Sequence, residues 1–66
     1  MKILVNGQDM TLETACTVEQ FLLSHRPAAR ACAVEVNRQL VPKKRRGEHM
    51  LNEGDHVEIV SLVGGG

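Results

Sequence analysis

The first residues of the chain alternate between apolar and polar positions and predict a β-hairpin. In KILVNGQDMTLE, two short apolar runs flank Asn6 and Gly7, a dipeptide suited to a type I′ turn because both turn positions need positive φ. Ile3 and Val5 share one face of the first strand and Leu4 points to the other, since side chains alternate along a strand. We expect Ile3 and Val5 to face the core.

The segment TVEQFLLSH predicts an amphipathic helix. Thr17 is a suitable N-cap, and Gln20 stands three residues later, as in a capping box. Pro27 is expected to end the helix. Phe21 is the only aromatic residue of the chain, so we expect it to anchor the helix to a sheet. One helical face carries the residues at i, i+3, i+4 and i+7, which are Val18, Phe21, Leu22 and His25.

Two further strands are predicted in the second half of the chain. CAVEVN places Val34 and Val36 inward and Glu35 outward. RQLVPKKRRGEHML is interpreted as an irregular connection with room for a helical turn, and NEGD as a turn in which Gly54 is free to adopt positive φ. The last strand, HVEIVSLV, places Val57, Ile59 and Ser61 on one face and Glu58, Val60 and Leu62 on the other.

This order of elements predicts an α+β domain in which a mixed sheet of four to five strands carries one main helix on one face. We place the domain at residues 1–62 and a flexible C-terminal tail at residues 63–66. A chain of 66 residues buries only about 60% of the surface that its unfolded form exposes. It is therefore too small to enclose an active-site cavity alone.

Composition excludes several classes of function. Eight basic residues balance eight acidic ones, so no net field steers the chain to nucleic acid or to a membrane. No apolar run is long enough to span a bilayer, and MKILVNG enters a strand pattern without a signal peptide. We expect a soluble, cytoplasmic protein.

The remaining polar motifs favour ordinary structural roles. Cys16 and Cys32 form no CxxC pair and are expected to be partly buried thiols. The three histidines show no metal-ligand spacing with them, so no metal site is predicted. The basic run at 43–46 has no interleaved aromatic residue for base stacking, which favours a solvated loop over an RNA-binding patch. Asp55 is expected at a turn surface.

The chain closes with three glycines, Gly64, Gly65 and Gly66. They are consistent with a frayed end or a cloning remnant. Alternatively, residues without Cβ form a thin thread that enters a channel too narrow for side chains. Extended, residues 63–66 reach roughly 13 Å at about 3.3 Å per residue. The functional group at the end of that thread is a carboxylate, which becomes electrophilic when ATP adenylates it.

Several motifs together resemble the ThiS family of sulfur carriers in thiamin thiazole biosynthesis. These are MKILVNG, TVEQFLL, VEVNRQLVP and LNEGDHVEIVSLVGGG, which span nearly the whole chain. A diglycine end alone is weakly specific, because ubiquitin-like modifiers and the molybdopterin sulfur carrier MoaD share it. The resemblance implies a ubiquitin-like β-grasp fold. One departure is Arg46, near a position where relatives often have an aromatic or similarly bulky residue.

The resemblance also implies a chemistry and its partners. Gly66 would be adenylated and converted to a thiocarboxylate, and Gly64 and Gly65 would thread into partner active sites. The implied partners are ThiF, an E1-like adenylating enzyme that uses MgATP, and ThiG, the thiazole synthase. A cysteine desulfurase is the usual sulfur donor. The protein would bind no cofactor and would be a cosubstrate, not an enzyme.

The sheet face that the helix leaves uncovered is a candidate docking surface. We expect Leu4, Val60 and Leu62 on this face if the last strand pairs beside the first, with Glu58 placed for a charged contact. An open apolar face on a small domain is typical of a docking site, although isolated apolar residues are common on surfaces.

Three alternative functions stay open at this point. The first is a sulfur carrier for another pathway, such as molybdopterin or cysteine formation, which would use the same tail chemistry. A non-covalent binding module would leave the tail idle and dock on a protein or RNA. A protein tag would use the same adenylate to form conjugates with lysines.

Overall fold

The computed structural model describes residues 1–25 and 32–61 of the chain. Within these ranges, the chain forms five strands, one α-helix and one short 3-10 turn. In chain order these are β1 (Lys2–Val5), β2 (Gln8–Thr11), α1 (Val18–His25), β3 (Cys32–Val36), β4 (Gln39–Leu40), the 3-10 turn (Lys43–Arg45) and β5 (His56–Ser61).

The strands form a mixed sheet in the order β2-β1-β5-β3-β4. β1 and β5 are parallel, whereas β1 with β2, β3 with β4, and β3 with β5 are antiparallel. The last strand of the chain therefore lies in the middle of the sheet. The predicted α+β class, with one helix on a mixed sheet of four to five strands, is confirmed. The boundary at 62 and the tail at 63–66 fall outside the described residues.

The first hairpin has the predicted geometry. Asn6 and Gly7 have φ of 50° and 82°, the two positive values that a type I′ turn requires. Ile3 lies opposite Met10, and Leu4 lies opposite Asp9 on the other face. The turn therefore sets the register that directs Ile3 to the core.

A second hairpin joins β3 to β4, and the sequence analysis did not predict it. Asn37 and Arg38 have φ of 54° and 68°, and Val36 pairs with Gln39. The turn lacks the glycine that usually marks such a site, and β4 has only two residues. The segment that was interpreted as irregular from Arg38 onward therefore begins with a short edge strand.

The helix begins with the predicted capping box. The Gln20 amide donates to Thr17 Oγ1 at 3.1 Å, and the Thr17 amide donates to Gln20 Oε1 at 2.9 Å. Val18 and Phe21 are buried. His25 is exposed, but its ring stacks on Phe21 with centroids 5.1 Å apart. Pro27, the predicted stop, lies outside the described residues.

A single core lies between the helix and one face of the sheet. Phe21 is 1% exposed, and burying a side chain of this size contributes about 1.5–3 kcal/mol. The predicted inward residues of the strands reach this core. Nine hydrophobic side chains of the described residues are buried in it: Ile3, Val5, Val18, Phe21, Val34, Val36, Val41, Leu51 and Val57.

Backbone hydrogen bonds hold residues 41–51 against the helix N-terminus. The Val18 amide donates to His49 O at 2.9 Å, and the Glu19 amide donates to Arg46 O at 3.0 Å. These amides belong to the first turn of the helix and have no intrahelical acceptor. The Leu51 amide donates to Cys16 O at 2.9 Å, which closes the loop over the core.

The basic run contains one residue that departs from the predicted solvated loop. Lys43, Lys44 and Arg45 are exposed, as expected. Arg46 is half-buried, and its Nη2 donates to Cys32 O at 2.8 Å. Arg46 thus links the loop to the first residue of β3.

Replacing Arg38 with glycine should stabilise the protein. A residue with a Cβ at φ of 68° lies in the left-handed region, which destabilises the folded state by about 1–2 kcal/mol. Glycine avoids this strain, but its greater freedom in the unfolded chain lowers the free energy of unfolding by about 0.4–1 kcal/mol. We expect Arg38→Gly to raise the free energy of unfolding by about 0.5–1 kcal/mol, measured by urea denaturation. Arg38→Ala keeps the Cβ and is the control. Equal effects of the two substitutions would contradict this explanation.

Candidate functional site

β5 leads directly to the predicted tail and is paired along both edges. On one side, β3 pairs with β5 from Val36 opposite Val57 to Cys32 opposite Ser61. On the other side, the parallel pairing with β1 covers only Leu4 opposite His56 and Val5 opposite Val57. The second half of β5 therefore extends beyond the end of β1.

The side chain of Asn6 continues the pairing where β1 ends. The Ile59 amide donates to Asn6 Oδ1 at 2.8 Å, and Asn6 Nδ2 donates to Ile59 O at 3.4 Å. The Asn6 backbone amide donates to Val57 O at 2.9 Å. A carboxamide offers one acceptor and two donors, so this side chain replaces the missing strand residue. The half of β5 that precedes residues 62–66 is thereby fixed to β1.

A buried carboxylate fixes the beginning of β5. Asp55 is 7% exposed; its Oδ2 accepts from the Asn52 amide at 2.8 Å and its Oδ1 from Asn37 Nδ2 at 3.0 Å. Asn37 Oδ1 in turn accepts from the His56 amide at 3.0 Å. The expectation that Asp55 lies at a turn surface was therefore wrong, because the carboxylate turns inward to satisfy these donors.

The face of the sheet opposite the helix carries a mixed apolar and acidic surface. Strand register brings Leu4 beside His56, Glu58 beside Glu35, and Val60 beside Ala33. Leu40 lies on the other side of Glu35, across the short pairing with β4. Lys2, Asp9 and Thr11 continue this face toward the β2 edge. We use the name open face for the part near β5, which consists of Leu4, Ala33, Glu35, Leu40, His56, Glu58 and Val60.

The structure brings together three of the four predicted docking residues. Leu4 is half-buried, Glu58 is exposed and Val60 is 49% exposed. Leu62, the fourth, lies outside the described residues. The predicted sulfur-carrying and threading residues, Gly64–66, also lie outside them.

One large apolar residue of this surface was not predicted from the sequence. Leu40 is 62% exposed, and it joins the open face because β4 pairs with β3. The signal was present in VNRQL, where Asn37 is a residue type that adopts positive φ more readily than most. A two-residue turn at that position would have predicted Leu40 opposite Glu35.

The two thiols of the chain lie within the described residues. Cys16 and Cys32 are free and half-buried, as predicted. Within 1–25 and 32–61, no group of three His, Cys, Asp or Glu side chains is placed to hold a metal ion.

Across the same two ranges, the structure contains no helix with the length and apolar character needed to traverse a membrane.

Removing the Asn6 side chain should loosen β5 without disturbing the turn. Asn6→Gly tolerates positive φ but loses both hydrogen bonds to Ile59, each of which contributes about 0.5–1.5 kcal/mol. We expect a fall of about 1–2 kcal/mol in the free energy of unfolding, with faster hydrogen exchange at the Ile59 amide. Asn6→Asp keeps the acceptor and should retain protection there. Unchanged exchange in Asn6→Gly would show that the side chain does not hold β5.

Comparisons with known proteins agree along the whole chain. The model of the ThiS family matches residues 3–66. The sulfur carrier protein ThiS of Escherichia coli is 34% identical over 68 residues, with all of both chains covered. In structure, the chain is similar to the crystal structure of a thiamine biosynthesis protein (ThiS) from Geobacter metallireducens, with a TM-score of 0.88, 28% identity and full coverage of both chains.

A much longer relative also matches. A thiazole synthase of Paramagnetospirillum magneticum is 38% identical over 66 residues, which cover this whole chain and 20% of that protein. The chain thus spans about one fifth of the length of that relative.

Proposed function

The chain belongs to the ThiS family of sulfur carrier proteins, and we propose that it carries sulfur for thiamin thiazole formation on Gly66. The observation that carries this proposal is the similarity to a sulfur carrier over the full length of both chains. The family match includes the glycine end, since it runs to residue 66. A fold alone would be insufficient, because unrelated functions share folds.

The proposed chemistry has two steps. The Gly66 carboxylate attacks the α-phosphate of ATP, forming an acyl adenylate and releasing pyrophosphate. A sulfur nucleophile, delivered as a persulfide or sulfide, then attacks the acyl carbon and expels AMP. After cleavage of any sulfur–sulfur bond by a thiol, the product is a C-terminal thiocarboxylate. The proposal requires Gly66 to bear the free carboxylate.

This chain contributes the acyl group and the means of presenting it. Gly64 and Gly65 would allow close approach to the reacting carbonyl, because neither has a Cβ. The enzymes would supply the groups that bind ATP and stabilise the transition states. The chain is therefore a cosubstrate and not a catalyst, and it works in the cytoplasm with its partners.

We assign a thiazole synthase of the ThiG type as the sulfur acceptor. The support is the thiazole synthase that contains a segment similar to this chain. Activation by a ThiF-like adenylating enzyme and sulfur supply by a cysteine desulfurase follow from the carrier chemistry and from the sequence resemblance.

The open face is the proposed docking surface for these enzymes. Leu4 lies on β1, and Glu58 and Val60 lie on β5, the strand that precedes the tail in the chain; the role of Leu62 in docking stays a prediction from the sequence. A partner that binds this face is within reach of a tail that leaves from β5. Docking would therefore raise the effective concentration of the tail at the active site.

Conversion of Gly66 is tested by intact mass spectrometry. The protein, expressed without a C-terminal tag, is incubated with the adenylating enzyme, MgATP, a desulfurase, cysteine and a reducing thiol. We expect a mass increase equal to the difference between one sulfur and one oxygen atom, located in the C-terminal peptide. A starting mass that includes residues after Gly66 would contradict the assignment of the reacting carboxylate.

Deleting Gly65 and Gly66 provides the matched control. The shortened chain keeps the folded domain, so its far-ultraviolet circular dichroism should be unchanged. We expect no mass increase, because the new carboxylate on Gly64 falls short of the adenylation site. Modification of the shortened chain, or failure to modify the complete chain with enzyme that is active on another carrier, would overturn the proposal.

A further inference from the structure

We infer that the open face receives a cationic side chain of a partner protein between Glu35 and Glu58. This inference rests on the proposed function, because it names the chemistry of the partner surface that binds the same docking face. The cation would be an arginine or a lysine whose stem lies against the neighbouring apolar residues. Neither glutamate takes part in the bond changes at Gly66.

The first observation is a pair of like charges in direct register. Glu35 on β3 lies opposite Glu58 on β5, and side chains opposite each other in an antiparallel pair have Cβ atoms about 4.5–5.5 Å apart. Like charges in this arrangement destabilise a sheet. A cation placed between the two carboxylates would be attracted to both of them.

The second observation is that the described residues supply no counterion. Within residues 1–25 and 32–61, neither Glu35 nor Glu58 forms an ion pair or a side-chain hydrogen bond. Lys2 is the lysine on β1, but it pairs with Thr11 at the opposite end of that strand from Glu58. The acidic pair is thus available to a partner.

The third observation is the apolar border of the acidic pair. Leu40 and Val60 are 62% and 49% exposed, and Leu4 lies on the next strand of the same face. An interface that covers these side chains would exclude water around the carboxylates and strengthen their attraction to a cation. The methylene stem of an arginine or lysine suits such a border, because it is apolar while its end is charged.

The acidic pair and its apolar border together favour a protein as the partner of the open face, rather than a nucleic acid or a membrane. Phosphate groups of nucleic acids or membranes would be repelled by two carboxylates. A second copy of this chain is the other source of cations, since Lys43, Lys44 and Arg45 are exposed. The two enzymes that must engage the tail are favoured, because β5 joins the acidic pair to that tail.

The experiment compares charge-neutralised variants with a matched control. Glu35→Gln, Glu58→Gln and the double variant keep the size and polarity of the side chains while removing the charge. Glu13→Gln removes one charge from an exposed residue between β2 and α1 and is the control. Calorimetry gives the affinity for the thiazole synthase and for the adenylating enzyme at low and at high salt, and thermal unfolding gives the stability of each free variant.

We expect the double variant to bind at least one enzyme about 5- to 10-fold more weakly at low salt. The difference should shrink at high salt, because salt screens the attraction. The free double variant should unfold at the same temperature as the unmodified chain or at a higher one, which excludes unfolding as the cause. Glu13→Gln should match the unmodified chain in both measurements.

Three results would overturn the inference. Equal affinities of the double variant and the unmodified chain for both enzymes would do so while leaving thiocarboxylation on Gly66 intact. Absence of binding to either enzyme by the unmodified chain would reject the docking surface itself. Sedimentation that reveals a dimer, lost in the double variant, would assign the acidic pair to self-association. Failure of the proposed function is distinguishable, because it appears as an unmodified mass in the complete chain.

Discussion

The pairing of β5 between β1 and β3 is the interaction on which the rest of the structure depends. It joins the N-terminal hairpin to the C-terminal half of the chain, with a parallel ladder on one side and an antiparallel ladder on the other. It also places Val57 in the core. Two asparagines with positive φ reinforce this pairing through their side chains. Asn37 accepts a hydrogen bond from the amide of His56, the first residue of β5, and Asn6 accepts one from the amide of Ile59. The strand that leads to the tail is thus among the best-connected segments of a small domain.

This arrangement separates the two tasks of a carrier. Hydrogen bonding to both neighbours satisfies the backbone of β5, so its outward side chains are available for docking. In the proposed function, the folded residues identify and orient the carrier, and the enzymes supply the cavity in which Gly66 reacts. Such a division would let a chain of 66 residues take part in acyl chemistry without building a catalytic cavity.

Local signals predicted those elements whose geometry is decided locally. The Asn6-Gly7 pair predicted the first turn, and Thr17 with Gln20 predicted the start of the helix. The alternation of apolar and polar residues predicted the inward valines. The structure confirmed all three predictions. The ThiS family assignment was confirmed by the family match and by the E. coli and Geobacter relatives. The sequence did not reveal the bonds of Asp55 to Asn37 and of Arg46 to Cys32, because each joins residues distant in the chain. β4 was missed for a local reason, since its turn at Asn37 and Arg38 contains no glycine. At the candidate site, alternation assigned Leu4, Glu58 and Val60 to one face, whereas Leu40 required the second hairpin. The roles of Gly64–66 stay predictions.

In the proposed function, sulfur travels on this chain and leaves it as part of a thiazole. The most direct measurement is a single-turnover transfer, in which the chain is thiocarboxylated with sulfur-34 and mixed with the thiazole synthase and its carbon substrates in unlabelled buffer. We expect one sulfur-34 atom in each thiazole formed and a chain that returns to its original mass. Label that stays on the chain while thiazole forms with unlabelled sulfur would contradict the proposed function.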